Sequence, residues 1–200
     1  IDGQMNRFDE QALRGFQEAN GLTETGKLDE PTKAALVRWE GTPPTRLVVI
    51  PKGFAEGPFS PGLPNDTVAQ GEHGALNYRN LMEALAERFH TTPDMLVTLN
   101  GPQAKIAAGA LLRVPNIADI DPASLGEDSR GWNRTLVTLG VSPQQPRAAK
   151  LVVDKSDATL RAYAEHGKLL AQFPATMGSE HDPLPLGEWT IKGVSRNPEF

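Results

Sequence analysis

The 200-residue sequence contains no cysteine, which excludes disulfides, thiolate metal sites and thiol chemistry within these residues. The redox compartment is thereby left open. No apolar run approaches the roughly 18 residues needed to span a bilayer. An excess of positive charge is also missing. The 20 Lys and Arg against 25 Asp and Glu leave a net charge of -5, and phosphate neutralisation needs clustered cations, so no nucleic-acid partner is expected. The chain opens on Ile1 with neither an initiator Met nor a signal-like segment, so a mature or trimmed terminus is expected. What is present is ordinary globular content, 38% hydrophobic and 22% charged, with 17 prolines that imply many loops. That length suits one large or two to three small domains.

The amino-terminal third reads as helical. Asn6 suits a left-handed turn, and Asp9 is a candidate N-cap for a helix with Ala12, Leu13, Phe16 and Ala19 on one face. Asn20-Gly21 ends it, Asp29 caps a second helix with Pro31 in its first turn, and Ala35, Leu36 and Trp39 are expected inside. Asp-Gly, Ala-Leu-Arg-x-Phe-Gln, Gly-Leu, Gly-Lys-Leu-Asp and Thr-x-x-Ala-Leu together resemble the three-helix peptidoglycan-binding domain. Asn6 stands where that family usually has Gly, and Asp9 where it usually has Thr. The resemblance implies a further helix ahead of Ile1.

Leu47 to Ile50 reads as a short buried strand, followed by a Gly- and Pro-rich loop to about Asn77, with Phe54 and Phe59 pinning it down. From Leu81 the helical period places Leu81, Ala84, Leu85 and Phe89 on one face. Thr92-Pro93 then starts a helix that buries Met95, Leu96 and Leu99 and ends at Asn100-Gly101. A strand from Leu111 to Val114 closes at Pro115. This strand–helix–helix–strand order, with Leu-Ala-Glu-Arg-Phe, Thr-x-x-x-Leu-x-x-Leu-Asn and Gly-x-x-Leu-Arg-Val-Pro, resembles a LysM domain, which implies binding to the N-acetylglucosamine backbone of peptidoglycan or chitin. Residues 118–149 read as a polar linker, with Trp132, Leu136, Val137 and Leu139 in a short ordered segment.

Near the end, Leu151 to Val153, Thr159 to Tyr163, Lys168 to Phe173 and Trp189 to Val194 have strand patterns, with a turn at His166-Gly167. Their apolar residues are enough to need a facing layer, and one edge and one face are expected to lack partners within these residues. A short strand, the Asp-Lys-Ser-Asp hairpin, Ala-Thr-Met-Gly-Ser and Pro-Leu-Gly-Glu-Trp resemble the opening of the L,D-transpeptidase catalytic domain of the YkuD (ErfK/YbiS/YcfS/YnhG) type. That family crosslinks peptidoglycan through a cysteine nucleophile. Its signature, a His and then Ser-His-Gly-Cys followed by Arg, would lie beyond Phe200.

The chemical candidates are few. Ser179-Glu180-His181-Asp182 has the residue types of a serine triad, but four consecutive residues rarely place base, nucleophile and acid in line. Glu72-His73, Glu165-His166 and Glu180-His181 lack the i, i+4 spacing of a zinc-binding pair. Gly71-Glu72-His73-Gly74 has no strand-to-helix junction around it to cradle phosphate. No cofactor, metal ligand or catalytic residue is therefore assigned. The resemblance leaves Ser179, His181 and Trp189 as candidate substrate-binding residues on the rim of a cleft.

The expected fold is multidomain α+β: a helical peptidoglycan-binding module (1–42), a βααβ LysM-like module (45–117) with a long insertion (52–77), a linker (118–149), and the first strands of a mostly-β L,D-transpeptidase catalytic domain (150–200). The resemblance implies a cell-envelope or periplasmic transpeptidase whose partners are peptidoglycan glycan strands and stem peptides. A non-catalytic peptidoglycan-binding scaffold is the alternative.

Overall fold

A computed structural model describes residues 5–74, 76–128 and 131–193. They form two compact units, one from residues 43–143 and one that joins residues 5–42 to residues 144–193.

The first unit is built on an antiparallel pair, β1 (Thr45–Val49) and β2 (Leu111–Pro115), with Leu47 opposite Arg113 and Val49 opposite Leu111. Between them lie α3 (Lys52–Ala55), α4 (Thr67–Gly71), α5 (Leu81–Arg88) and α6 (Pro93–Asn100). The two main helices start where local chemistry dictates. The Asn80 side chain accepts from the Glu83 N–H, and the Thr92 hydroxyl accepts from the Met95 N–H ahead of Pro93. Leu85, Phe89, Leu96, Leu112 and Val114 close the core with Ile50, each contributing about 1.5–3 kcal/mol by its burial. The strand expected to be buried is only half so, because Leu47 and Val49 lie on the uncovered face of a two-stranded sheet. The long insertion is not all loop. Asp66 caps α4, and Phe54 and Ala55 of α3 pack on the core. Beyond β2, α7 (Trp132–Leu139) packs against α5, its Leu136 is buried, and His90 Nε2 lies 2.9 Å from the Leu139 carbonyl.

In the second unit, α1 (Arg7–Ala19) is capped by Asn6 rather than Asp9. Asn6 has an extended backbone, its side chain accepts from the Phe8 N–H, and Asp9 at the third helical position accepts from the Asn6 N–H. Two capping residues three apart form a reciprocal box, and the earlier one takes the cap. The buried positions of α1 are Gly15 and Gln17, while Ala12 and Ala19 are exposed. After α2 (Glu30–Leu36) a 3-10 turn carries Trp39, which stays half exposed instead of facing inward.

What α1 covers explains the burial of Gly15. The strands β3 (Lys150–Asp154), β4 (Thr159–Tyr163) and β5 (Leu169–Pro174) form an antiparallel sheet, and α1 packs against β5. Arg161 and Gln172 are paired across β4 and β5, with Arg161 Nε donating to Gln172 Oε1 at 2.9 Å. Gln172 Nε2 donates to the Gln11 carbonyl at 2.7 Å, and Gln11 Nε2 donates to the Asp157 carbonyl. Arg161 Nη1 stands 3.6 Å from Glu18. A Cβ on Gly15 would lie 2.8 Å from Gln172 Oε1, so glycine permits this approach. The other face carries Val153, Leu160 and Phe173 in register, and Val153 and Phe173 remain 44% and 54% exposed. The strand expected from Trp189 is absent: residues 189–193 pair with no strand among the described residues, and Val194 lies outside them.

Candidate functional site

Ser179, His181 and Trp189 are not brought together. Gly178 pairs with Pro183 around a tight turn in which the Ser179 N–H donates to the Asp182 carbonyl at 2.9 Å. The Asp182 N–H returns to Ser179 Oγ at 3.0 Å. Gly178 has φ 71°, and a Cβ there would sit 2.5 Å from the Asp182 carbonyl oxygen, so the turn requires glycine. Ser179 Oγ is thus a turn acceptor, and the four residues 179–182 do not form a nucleophile–base relay. His181 is exposed, and Trp189 is 75% exposed with its indole Nε1 3.7 Å from where a Gly187 Cβ would be. Among the described residues no hydrogen bond or ion pair joins any two of the three, and no group of three His, Asp or Glu could hold a metal ion.

The helical segment presents a second cluster. Arg38 lies over the Trp39 ring at 4.1 Å and over Phe16 at 5.8 Å, and its Nη2 donates to Asn20 Oδ1 at 2.8 Å. Each ring–cation contact contributes on the order of 0.5–1 kcal/mol at an exposed site. Behind it, the Gln17 amide holds the loop between α1 and α2, and Asp29 anchors that loop's far end. Hydrogen bonds from the Thr32 and Thr25 hydroxyls hold the Asp29 carboxyl below its ordinary range.

Described residues of the first unit line two adjoining cavities. One, of about 560 Å³, opens between the insertion and α7, with Phe54, Phe59 and Tyr78 on one wall and Arg134, Thr135 and Thr138 on the other. Burial, then the charges of Glu87 and Glu83, push the Tyr78 phenol up. The second, of about 410 Å³, shares Pro51, Phe54 and Val137 with the first. Its wall holds a charge cluster. Arg46 grips Asp119 with both Nη atoms at 2.8 Å, and Arg88 Nη2 reaches the same carboxylate at 2.6 Å and the Ala118 carbonyl at 3.2 Å. The Arg46 hydrogen bonds hold Asp119 below the usual carboxylate range, whereas burial lowers Arg88. Neither the insertion nor residues 118–149 carried a chemical signal in the sequence, since the charged groups that meet here are far apart in it, Arg88 and Asp119 by 31 positions and Arg46 and Asp119 by 73.

Comparison with known families assigns two parts of the chain. Residues 1–36 match the family described as a peptidoglycan binding domain, and residues 148–200 match the YkuD family, described as the L,D-transpeptidase catalytic domain. The first match takes in α1 and α2, and the second begins just ahead of β3. No curated protein matches the chain.

Proposed function

We propose that this chain belongs to a cell-wall L,D-transpeptidase, with the helical segment directing it to peptidoglycan and residues 148–200 contributing to the catalytic domain. The observation that carries the reading is the pair of matches to a wall-binding family and a wall-crosslinking family on one chain. The structure supports a joint role, because α1 is packed on β5 in a single unit. The location that fits is the cell envelope, and no described helix is long and apolar enough to cross a membrane.

In this reading a thiolate attacks the carbonyl of the L-configured centre of a tetrapeptide donor. The peptide C–N bond breaks, the terminal D-amino acid leaves with a proton on its amine, and a thioester remains. The side-chain amine of an acceptor stem then displaces the thiolate and forms the crosslink. A thiolate suits this step because it is strongly nucleophilic near neutral pH once a neighbouring His lowers its pKa. These 200 residues contain no cysteine, so the nucleophile must be supplied from outside them. Ser179, His181 and Trp189 stay proposed as rim residues that meet the stem peptide. The same lack of cysteine favours a second reading for the chain by itself, a peptidoglycan-binding scaffold without catalysis. The LysM-like assignment of residues 45–117 rests on the βααβ order and on the motifs quoted above.

Mass spectrometry tests the mechanism. The chain alone is expected to form no acyl adduct with a carbapenem and to leave a tetrapeptide stem intact, while the full-length parent acylates at a cysteine and yields crosslinked muropeptides. An adduct on Ser179 or Ser195 would contradict the thiol mechanism.

A further inference from the structure

We propose that the two adjoining cavities of the first unit form one groove for an acidic peptide with small aliphatic side chains, of the kind found in a peptidoglycan stem. The choice of a wall peptide rests on the function proposed above.

The size fits a small ligand, since sites for such molecules enclose about 300–1,000 Å³ and the larger cavity holds about 560 Å³. Its walls are largely apolar, with a few polar groups among them. The guanidinium of Arg134 and the hydroxyls of Tyr78, Thr135 and Thr138 make no hydrogen bond or ion pair among the described residues. Thr135 and Thr138 stand one turn apart on α7 with Arg134 beside them, so three polar groups converge from one helix.

Charge selects the ligand class. In the second cavity two guanidiniums share one carboxylate, which leaves an excess positive charge in the wall of a chain whose net charge is -5. Arg134, without an ion-pair partner among the described residues, adds a further cation in the first cavity. Negative charge from Glu87 and Glu83 lies towards Tyr78, and Glu83 is itself 3.6 Å from Arg79. An anionic group is therefore directed to the α7 side and to the Arg46–Arg88 pair. A neutral glycan would leave both positive sites unanswered. A peptide with carboxylates and methyl side chains answers them, and its apolar groups meet Phe54, Phe59 and Val137.

The experiment titrates the isotope-labelled 200-residue chain with a synthetic tetrapeptide stem carrying free carboxylates. The same stem with its carboxylates amidated and an N-acetylglucosamine oligosaccharide are run in parallel, and backbone amide shifts are read. The free-carboxylate stem is expected to move the amides of Phe59, Tyr78, Thr135 and Thr138. Arg134→Gln should weaken that binding about tenfold, the loss of one charge-assisted hydrogen bond, with unchanged thermal melting because Arg134 is exposed. Shifts that persist unchanged with the amidated stem, or an affinity for the free-carboxylate stem that is unchanged in Arg134→Gln, overturn the proposal, as do shifts produced by the oligosaccharide alone. Retention on sacculi, measured on the same preparation, reports the wall reading separately. A chain that is retained yet shows no stem-peptide shifts along α7 keeps the wall function and loses the groove. A chain that is not retained while its α7 amides still move keeps the groove.

Discussion

Replacing Gln17 by leucine is expected to destabilise the second unit by about 3 kcal/mol, the cost of leaving two or three buried polar groups unpaired. Gln17 is fully buried, at 0% exposure. Its Oε1 accepts from the Gly26 N–H at 2.9 Å, and its Nε2 faces the Thr32 hydroxyl at 2.8 Å, with the Lys27 carbonyl and Thr25 hydroxyl at 3.0 Å. The loop it serves has no helix or strand of its own between Leu22 and Asp29, so this one amide replaces a backbone ladder. Leucine has nearly the volume of glutamine and no polar atom. The packing is kept, while the Gly26 N–H and the Lys27 carbonyl are orphaned. Urea denaturation of the chain and of Gln17→Leu measures the difference. A loss below about 1 kcal/mol would show that water enters the loop and satisfies these groups, and that the amide is not its main fastening.

The second large effect is expected at Asp119. Asp119→Ala strips the anionic partner from two arginines, one of which, Arg88, is only 7% exposed. Removing one partner of a buried pair costs about 3–5 kcal/mol. Asp119 is itself 67% exposed, so water compensates in part and solvent screening cuts the figure to about 2 kcal/mol. Arg88→Met removes the buried cation instead and leaves Asp119 with Arg46, and its cost should be under about 1 kcal/mol. The order of the two variants is the test, and a larger loss in Arg88→Met would reverse the argument. The acid limb gives an independent check. The folded-state pKa of Asp119 is depressed, so its contribution is complete above the unfolded value of about 3.9 and is lost as pH falls through the lower folded value. Stability of the parent should therefore drop below about pH 4, and Asp119→Ala should flatten that part of the curve.

Where local chemistry decides a boundary, the fold was legible in the residues. Thr92-Pro93 and Asn100-Gly101 mark the two ends of α6, and both were read from the sequence. The start of α1 was ambiguous for a physical reason, since Asn6 and Asp9 are both good caps and the reciprocal box uses both. The packing of α1 was not legible. Hydrophobic periodicity points to Leu13 and Phe16, whereas Gly15 is buried because the helix sits on a polar sheet face through Gln172, and Gln17 because its amide turns into the loop between α1 and α2. Trp189 and Ile191 alternate like a strand, but alternation shows only that a strand is compatible, and these residues have no paired neighbour among the described ones. The Arg46–Asp119 pair spans 73 positions, and no local pattern announces it. The same is true of the larger cavity, where the insertion meets α7 of a segment that looked inert.

Engagement of peptidoglycan by this chain is tested most directly by co-sedimentation of the 200-residue chain with purified sacculi. Most of the protein is expected to pellet with the wall, well above an unrelated acidic protein of similar size. Recovery in the pellet no greater than for that control would contradict it.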